Sequence, residues 1–234
     1  MNKQAAIAVL SVLLLASIAF GQQEYVGRFD VFTGFTDLST SKLNLGQPGF
    51  HTQIGTNPTN WYSMGFDFSD GSGDTSLIPT MAKASLQKEI TTQLAPLIQA
   101  GLLPATYQLK VPLSATSQTY AMGPQLNFRH FKRVTLFIHP DLGAIHETAM
   151  VHPQDMIATA VAAQLAPSGH LSDWTWFFGV GGGMDLKLTT HLGLRVHADY
   201  VRDHLFSNML DWQGTFRISV GPTVHFGKNM AQVR

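Results

Sequence analysis

Residues 215–226 alternate strictly between apolar and polar side chains, and this alternation restricts the possible folds more than any other feature of the chain. Phe216, Ile218 and Val220 fall on one side of an extended strand, whereas Arg217 falls on the other, and the order continues to the end of the segment. Successive side chains of a β-strand point to opposite faces. The segment therefore predicts a strand between an apolar and an aqueous environment.

Seven further segments repeat the alternation, the second of them weakly: residues 28–36, 50–56, 62–69, 120–129, 134–143, 174–187 and 192–200. The turns after the second, fourth and sixth segments are short. The other connections are long: residues 37–49, 70–119, 145–173 and 201–214. Short periplasmic turns alternate with longer external loops in outer-membrane barrels. The order predicts an all-β fold, an eight-stranded antiparallel transmembrane β-barrel with long external loops.

The aromatic residues agree with this orientation, because barrels carry aromatic girdles at both membrane interfaces. Aromatic side chains fall at the outer end of several predicted strands: Tyr120, Trp174, Trp176, Tyr200 and Phe216. Phe128 and Phe226 fall at the inner end. Between these two levels, the outward positions are mostly smaller aliphatic residues.

The N-terminus has the pattern of a signal peptide: a basic residue at Lys3, an apolar stretch over residues 5–18, and small residues at Ala19 and Gly21. The alternative is an anchoring helix, but the stretch is shorter than the roughly 20 residues that a membrane span requires. We expect a signal peptide over residues 1–21, a barrel over residues 22–227, and a C-terminal tail over residues 228–234. The expected location is the bacterial outer membrane.

Composition narrows the functional classes. The 15 basic residues equal the 15 acidic ones, so the chain lacks the basic surface that nucleic-acid binding needs. No cysteine is present, so no disulfide framework stabilises an exported domain. Charged residues make up only 13% of the chain, as expected for a barrel with a lipid-facing exterior.

Five segments resemble the small eight-stranded outer-membrane barrels of the OmpA/OmpX type, the outer membrane protein beta-barrel domain family: residues 61–69, 123–129, 179–187, 194–200 and 219–227. The resemblance covers most of the chain outside the long loops and implies the fold rather than an activity. Two departures stand out. Residues 228–234 follow the aromatic Phe226, on which family members commonly end, and the second external loop is unusually long.

The inward faces of the predicted strands carry thirteen charged or histidine side chains, which we expect to form a polar network in the lumen: Arg28, Asp30, Asp67, Arg129, His139, Asp141, Asp185, Lys187, Arg195, His197, Asp199, Arg217 and His225. Pairing among them is expected, because an unpaired buried charge is costly. The alternative is a constricted ion path. The inward glycines Gly179, Gly181 and Gly183 are expected to leave room for larger side chains, the alternative being mere flexibility.

The three inward histidines favour hydrogen bonds to lumen aspartates over a metal site, because no metal-ligand spacing is present. His139, His197 and His225 lie on the fifth, seventh and eighth predicted strands. The fifth strand is not a neighbour of the seventh. We expect no metal and no cofactor.

The second and third external loops, residues 70–119 and 145–173, each predict a helix. Helical spacing of apolar residues covers residues 80–101, with Thr80 as the cap and Gly101 as the end. An alanine-rich segment covers residues 154–166. Two such helices on one side of a barrel could pack on each other as a cap. They could bind a partner or plug the barrel, or merely cover loop backbone.

These observations favour a monomeric, non-enzymatic membrane barrel with a structural, adhesive or partner-binding role, in contact with outer-membrane lipid and with an external ligand or protein. The alternatives are a narrow pore, a barrel-borne hydrolase and a soluble periplasmic lipocalin-like barrel. A hydrolase would need a nucleophile, a base and an acid such as Ser172, His204 and Asp203, which no sequence feature orients.

Overall fold

The computed structural model describes residues 23–104 and 106–233, and the expected signal peptide lies outside these residues. Eight strands and two α-helices follow one another along the chain: β1 (Gly27–Thr40), β2 (Leu45–Thr56), β3 (Tyr62–Leu77), α1 (Ala84–Gln99), β4 (Val111–Phe128), β5 (Val134–Val151), α2 (Met156–Leu165), β6 (His170–Lys187), β7 (Leu192–Asp203) and β8 (Gln213–Asn229). Two short 3₁₀-helices lie at Ser41–Leu43 and Pro79–Met81.

The eight strands form one closed barrel in which each strand pairs antiparallel with its sequence neighbours. The first and last strands complete the ring, with partners running from Gly27 opposite Asn229 to Thr40 opposite Thr215. Closure leaves no edge strand with unpaired backbone groups. The predicted fold class is confirmed.

The apolar side chains of the alternating segments point outward. Phe35 is 58% exposed, Leu142 60% and Trp176 74%. The opposite faces of the strands hold buried polar side chains such as Asp67 and Arg195. A soluble barrel would place these faces the other way round, so the lipocalin-like alternative is wrong.

Several strands extend beyond the predicted segments into the connections that we expected to be loops. β4 and β5 have 18 residues each, about twice the 9–11 residues that a tilted spanning strand needs. On the external side of Tyr120, the two faces of β4 exchange character. Leu113 and Ala115 point inward and are buried, whereas the outward positions hold the polar Thr116 and Gln118. The apolar band therefore ends near Tyr120, and the rest of the strand stands above the membrane.

The predicted loops are corrected accordingly. The first external connection shrinks from residues 37–49 to the 3₁₀-turn at residues 41–44, where Asn44 adopts a left-handed conformation with φ of 47°. A search for apolar residues on the outer face and polar residues on the inner face misses the extensions, because that relation reverses above the membrane.

Both predicted helices are present with shorter bounds. The assignment of Thr80 as the cap of α1 is wrong, because Thr80 lies in the 3₁₀-helix and the chain turns again before α1 begins after Lys83. Gly101 ends the helix as predicted, with φ of 72°. Asp155 caps α2 by accepting a hydrogen bond from the backbone N–H of Ala158 at 2.7 Å. Among the described residues, no helix is long and apolar enough to cross a bilayer.

The two helices pack on each other at the external tips of β4 and β5. Ile90 of α1, Ala158 and Ala162 of α2 and Val111 of β4 belong to one buried apolar cluster. A second cluster, which includes Leu113, fills the external end of the barrel. The helices therefore form a cap on the strand tips and do not descend to the middle of the lumen. We call this unit the helical cap.

The inward glycines of β6 let β5 and β7 meet across the strand that separates them. A Cβ atom at Gly181 would lie 1.8 Å from Asp199 Oδ1 and 2.8 Å from His139 Nε2. At Gly183, a Cβ would lie 2.7 Å from Cζ of Phe137. The prediction that these glycines make room for larger side chains is confirmed.

Replacing Gly181 by valine should destabilise the barrel by about 3 kcal/mol or prevent its folding, at or beyond the top of the usual range for an overpacked core. The matched control is Gly46→Ala, because the nearest atom to a Cβ at Gly46, Oδ1 of Asp37, is 3.8 Å away. Urea unfolding, followed by the heat-modifiable mobility of the folded barrel on gels, measures both variants. Equal stability of the two would contradict the packing role of Gly181.

Candidate functional site

Arg195 organises the periplasmic half of the lumen. Its guanidinium donates to both carboxylate oxygens of Asp185, at 2.6 and 2.8 Å, and to Asp30 Oδ1 at 3.2 Å. It also bonds the side-chain oxygen of Gln53. The side chain is 1% exposed, and its charged group lies 5.1 Å from the centre of the Phe137 ring. This bidentate, fully buried pair joins β6 to β7, and the contacts with Asp30 and Gln53 extend the group to β1 and β2.

Arg217 organises the external half. Its Nε donates to Asp199 Oδ2 at 2.7 Å, and its Nη2 lies 2.6 Å from the same oxygen. Asp199 Oδ1 lies 2.8 Å from Nε2 of His197. His139 Nε2 lies 2.6 Å from the same nitrogen of His197, and His139 Nδ1 bonds Asp141 at 2.8 Å. These five side chains come from β5, β7 and β8.

A third histidine joins this half of the lumen from β2. His51 Nε2 lies 2.8 Å from Asp67 Oδ1, and its Nδ1 lies 2.9 Å from Oγ of Ser219. His51 is fully buried and its ring lies 5.2 Å from that of His197. Sequence reasoning missed His51, because the second strand had the weakest alternation. The signal was present, since His51 and Gln53 share the inward face of that strand.

These buried side chains fill the lumen, while the exterior carries a continuous apolar band. Together the two faces satisfy the requirements of a bilayer-spanning barrel. The chain is an eight-stranded antiparallel β-barrel that spans a membrane. The closed ring of strands gives every spanning residue a backbone partner, and the charges lie where lipid does not reach them.

Most of the thirteen residues predicted for the lumen are buried inside the barrel: Asp30, Asp67, His139, Asp141, Asp185, Arg195, His197, Asp199, Arg217 and His225. Arg129 and Lys187 lie at the periplasmic mouth, where they bond the backbone oxygens of Asn60 and Tyr25. The placement of Arg28 in the lumen is wrong. Arg28 is exposed, because the register of β1 against β8 shifts between Gly27 and Phe29 and turns this side chain out.

A small pocket with a mixed polar and apolar lining lies above the membrane, between the lumen network and the helical cap. It has a volume of about 10 Å³ and is lined by Glu147, Asp203, Gln47 and Gln213 among others. Glu147 accepts a hydrogen bond from Ser117 Oγ at 2.8 Å. The outward neighbours of Glu147 on β5 are His146 and Thr148, so this level is outside the apolar band. Burial raises the pKa of the Glu147 carboxyl to about 7.

A second cavity, of about 60 Å³, lies within the helical cap and has an almost entirely apolar lining that includes Leu86, Val161 and Leu210. It is smaller than an engineered cavity of about 150 Å³ that binds benzene. A void of this size is a packing defect between the helices and the strands. We assign no ligand to it.

The residues considered for a hydrolase do not come together. Ser172 Oγ bonds Nε2 of His146 at 2.8 Å on the exposed face, whereas His204 stacks on Trp212 with the ring centres 4.8 Å apart. Asp203 is buried and accepts a hydrogen bond from Leu205 N. A nucleophile, base and acid need direct hydrogen-bond contact, so this set provides no catalytic triad.

Comparisons with known proteins find similar solved structures at low sequence identity. Neither a family model nor a curated protein sequence matches the chain. OprG of Pseudomonas aeruginosa is similar at 9% identity over 88% of this chain and 99% of that chain, with a TM-score of 0.49. Ail of Yersinia pestis, solved with the heparin analogue sucrose octasulfate, is similar at 13% identity over 86% of this chain and 99% of that chain, with a TM-score of 0.44. The neisserial surface protein NspA is similar at 13% identity over 85% of this chain and 96% of that chain, with a TM-score of 0.44. The assignment rests on the geometry of the barrel itself.

Replacing Arg195 by methionine should lower the free energy of unfolding by about 3–5 kcal/mol, because Asp185 and Asp30 would remain buried without their cation. Arg28→Met is the control, because Arg28 is exposed and a surface change usually costs less than about 0.5 kcal/mol. Urea unfolding in detergent measures both. Similar losses for the two variants would show that Arg195 does not hold the periplasmic half of the lumen together.

The stability of the barrel should fall as pH rises from about 4.5 to about 7, because folded Glu147 holds its proton over a range in which the unfolded chain has released it. Glu147→Gln removes this loss. The variant should equal the parent at pH 4.5 and be more stable at pH 8. Unfolding midpoints in urea at the two pH values measure the effect, with the exposed Glu89→Gln as control. An unchanged pH dependence in Glu147→Gln would contradict the buried, protonated carboxyl.

Proposed function

We propose that this protein is a non-conducting surface barrel whose helical cap binds an external partner and serves adhesion. The single observation that carries the proposal is the division of the molecule along its axis. The membrane-level lumen is filled by paired side chains, whereas a separately packed unit stands above the membrane. Because the lumen is filled, we expect the function of the protein to reside in the helical cap.

The lumen supports a plugged barrel rather than a pore. Arg195, Phe32, Phe137 and His51 are each at most 2% exposed and occupy the interior at membrane level. An eight-stranded barrel has an interior that side chains can fill. Ions would have to displace paired charges that hold neighbouring strands.

The helical cap is held in one conformation, as a binding surface requires. Its helices share an apolar cluster with Val111 and Val151 at the tips of β4 and β5. The hydroxyl of Tyr107 bonds the carboxylate of Asp155 at 3.1 Å, which ties the segment after α1 to the start of α2. A preordered surface loses little conformational entropy on binding.

Two large apolar side chains of the cap remain in solvent. Leu102, after α1, is 72% exposed, and Met156, at the start of α2, is 88% exposed. Exposed aliphatic and thioether groups on a rigid support favour contact with an apolar surface. We therefore expect the partner to offer an apolar patch.

Adhesion of bacteria displaying the barrel to polystyrene tests the proposal. Leu102→Ser with Met156→Ser should reduce retention several-fold relative to the parent, because it removes the exposed apolar groups and leaves the buried cluster intact. Thr91→Ala with Thr92→Ala, on the exposed face of α1, is the matched control and should retain adhesion. Retention of the parent no better than that of cells with an empty vector would refute the adhesive role.

The purified barrel, reconstituted in a planar bilayer, tests the plugged lumen. Planar-bilayer recordings of the parent should show no steady ionic current, and joining Leu77 directly to Val111 through an Asn-Gly turn should not create one. Leu77 and Val111 are paired neighbours of β3 and β4, so the shortened chain can close. Large steady currents through the parent would favour the pore over the adhesin.

A further inference from the structure

Three possible metal ligands meet at one point in the external half of the lumen. Nε2 of His197 lies 2.6 Å from Nε2 of His139 and 2.8 Å from Oδ1 of Asp199. The third side of the triangle, from His139 Nε2 to Asp199 Oδ1, is 3.4 Å. All three side chains are at most 3% exposed. Imidazole nitrogens and a carboxylate oxygen form a ligand set typical of zinc.

Hydrogen bonding accounts for the contact between the two histidines but leaves other buried polar atoms of this group without a partner. Among residues 23–104 and 106–233, Asp199 Oδ1 finds no hydrogen-bond partner, although it lies 2.8 Å from His197 Nε2, and Nδ1 of the fully buried His197 also finds none. Buried polar atoms are normally paired, so each exception requires an explanation. A bound cation would satisfy the carboxylate oxygen and both facing nitrogens at once.

Neighbouring side chains bond the atoms of His139 and Asp199 that face away from the triangle, and so hold the ligand atoms in position. Asp141 Oδ1 lies 2.8 Å from Nδ1 of His139, which fixes the ring so that Nε2 faces His197. Arg217 holds the other oxygen of Asp199 at 2.6 Å and leaves Oδ1 free. A carboxylate on the far nitrogen of a ligating histidine sets its tautomer and increases its basicity. Asp141 supplies such a carboxylate to His139.

His197 also faces a second group of donors. One of its ring nitrogens lies within 4.8 Å of ligand atoms of His51 and Asp67. These two residues lie 2.8 Å from each other.

The charge of the external half of the lumen favours a divalent cation. Three carboxylates, those of Asp67, Asp141 and Asp199, are buried there. Within the described residues, Arg217 is the permanently charged side chain that forms an ion pair with this group. With neutral imidazoles, three negative charges and one positive charge leave two negative charges, which a divalent ion balances.

We propose that the lumen binds one divalent first-row transition-metal ion, of the zinc class, through His139 Nε2, His197 Nε2 and Asp199 Oδ1. Ligand atoms around a tetrahedral zinc ion with bonds of about 2.0 Å lie roughly 3.3 Å apart. The two shorter sides of the observed triangle must open by less than about 1 Å to reach that spacing. The ion joins β5 to β7 across the glycines of β6 and acts as an internal cross-link of the barrel.

Refolding the untagged, full-length mature barrel in detergent with either zinc sulfate or EDTA tests the proposal. After gel filtration, the zinc preparation should contain about one zinc per chain by mass spectrometry of the metal. It should also lose its heat-modifiable mobility at a temperature several degrees higher than the EDTA preparation, because a ligand of the folded state stabilises that state. Cobalt in place of zinc should give the visible absorption bands of a four-coordinate nitrogen–oxygen site.

His197→Gln should reduce bound zinc to less than a tenth of the parent value and abolish the difference between the two preparations. His225→Gln is the matched control, because His225 is also inward and buried but belongs to neither donor group. If His197→Gln fails to refold, His139→Gln replaces it. A parent barrel without zinc and without the cobalt bands would overturn the proposal, as would zinc binding that His197→Gln and His139→Gln leave unchanged.

Discussion

Closure of the strand ring is the constraint on which the rest of the structure depends. Hydrocarbon offers no hydrogen-bond partner, so a spanning sheet must pair its first strand with its last. β1 and β8 do so over the full height of the membrane. With eight strands, the ring encloses a narrow space, and the side chains that point inward must fill it. The lipid outside and the limited volume inside thus select opposite residue types on the two faces.

The narrow interior makes the inward charges mutually dependent. Arg195 binds Asp185 and Asp30 from neighbouring parts of the ring, and Arg217 binds Asp199. Each arginine lies too deep for water to replace its partners, so its loss would leave buried carboxylates without compensation. The external half differs, because its three buried aspartates carry more negative charge than the single guanidinium of Arg217 can balance. That imbalance is the physical basis of the proposed metal site.

The cap follows a different rule, because it lies in water. Above Tyr120, apolar residues such as Leu113 turn inward and polar residues such as Thr116 turn outward. The barrel wall becomes the wall of an ordinary soluble core at that level. The same strands thus face lipid over one part of their length and water over the other, and α1 and α2 pack on the part that lies in water. A rigid extension of the barrel wall is a better support for binding than a free loop.

The sequence by itself determined the strand number, the orientation of the faces and the position of the girdles. The alternation of apolar and polar residues can be read within one segment, without knowing which strands pair with it. It also indicated most of the buried charges. It placed Arg28 inside because it could not indicate the register shift near Gly27, and it missed the strand extensions because the solvent changes along one strand.

Only the tertiary structure decided which inward residues touch. His139 and His197 lie on strands separated by β6, and they meet because Gly181 and Gly183 carry no side chain between them. His51, on β2, reaches His197 across the lumen. Contacts across a closed barrel depend on strand register and lumen width, and these are set by pairing of the whole ring rather than by any local segment.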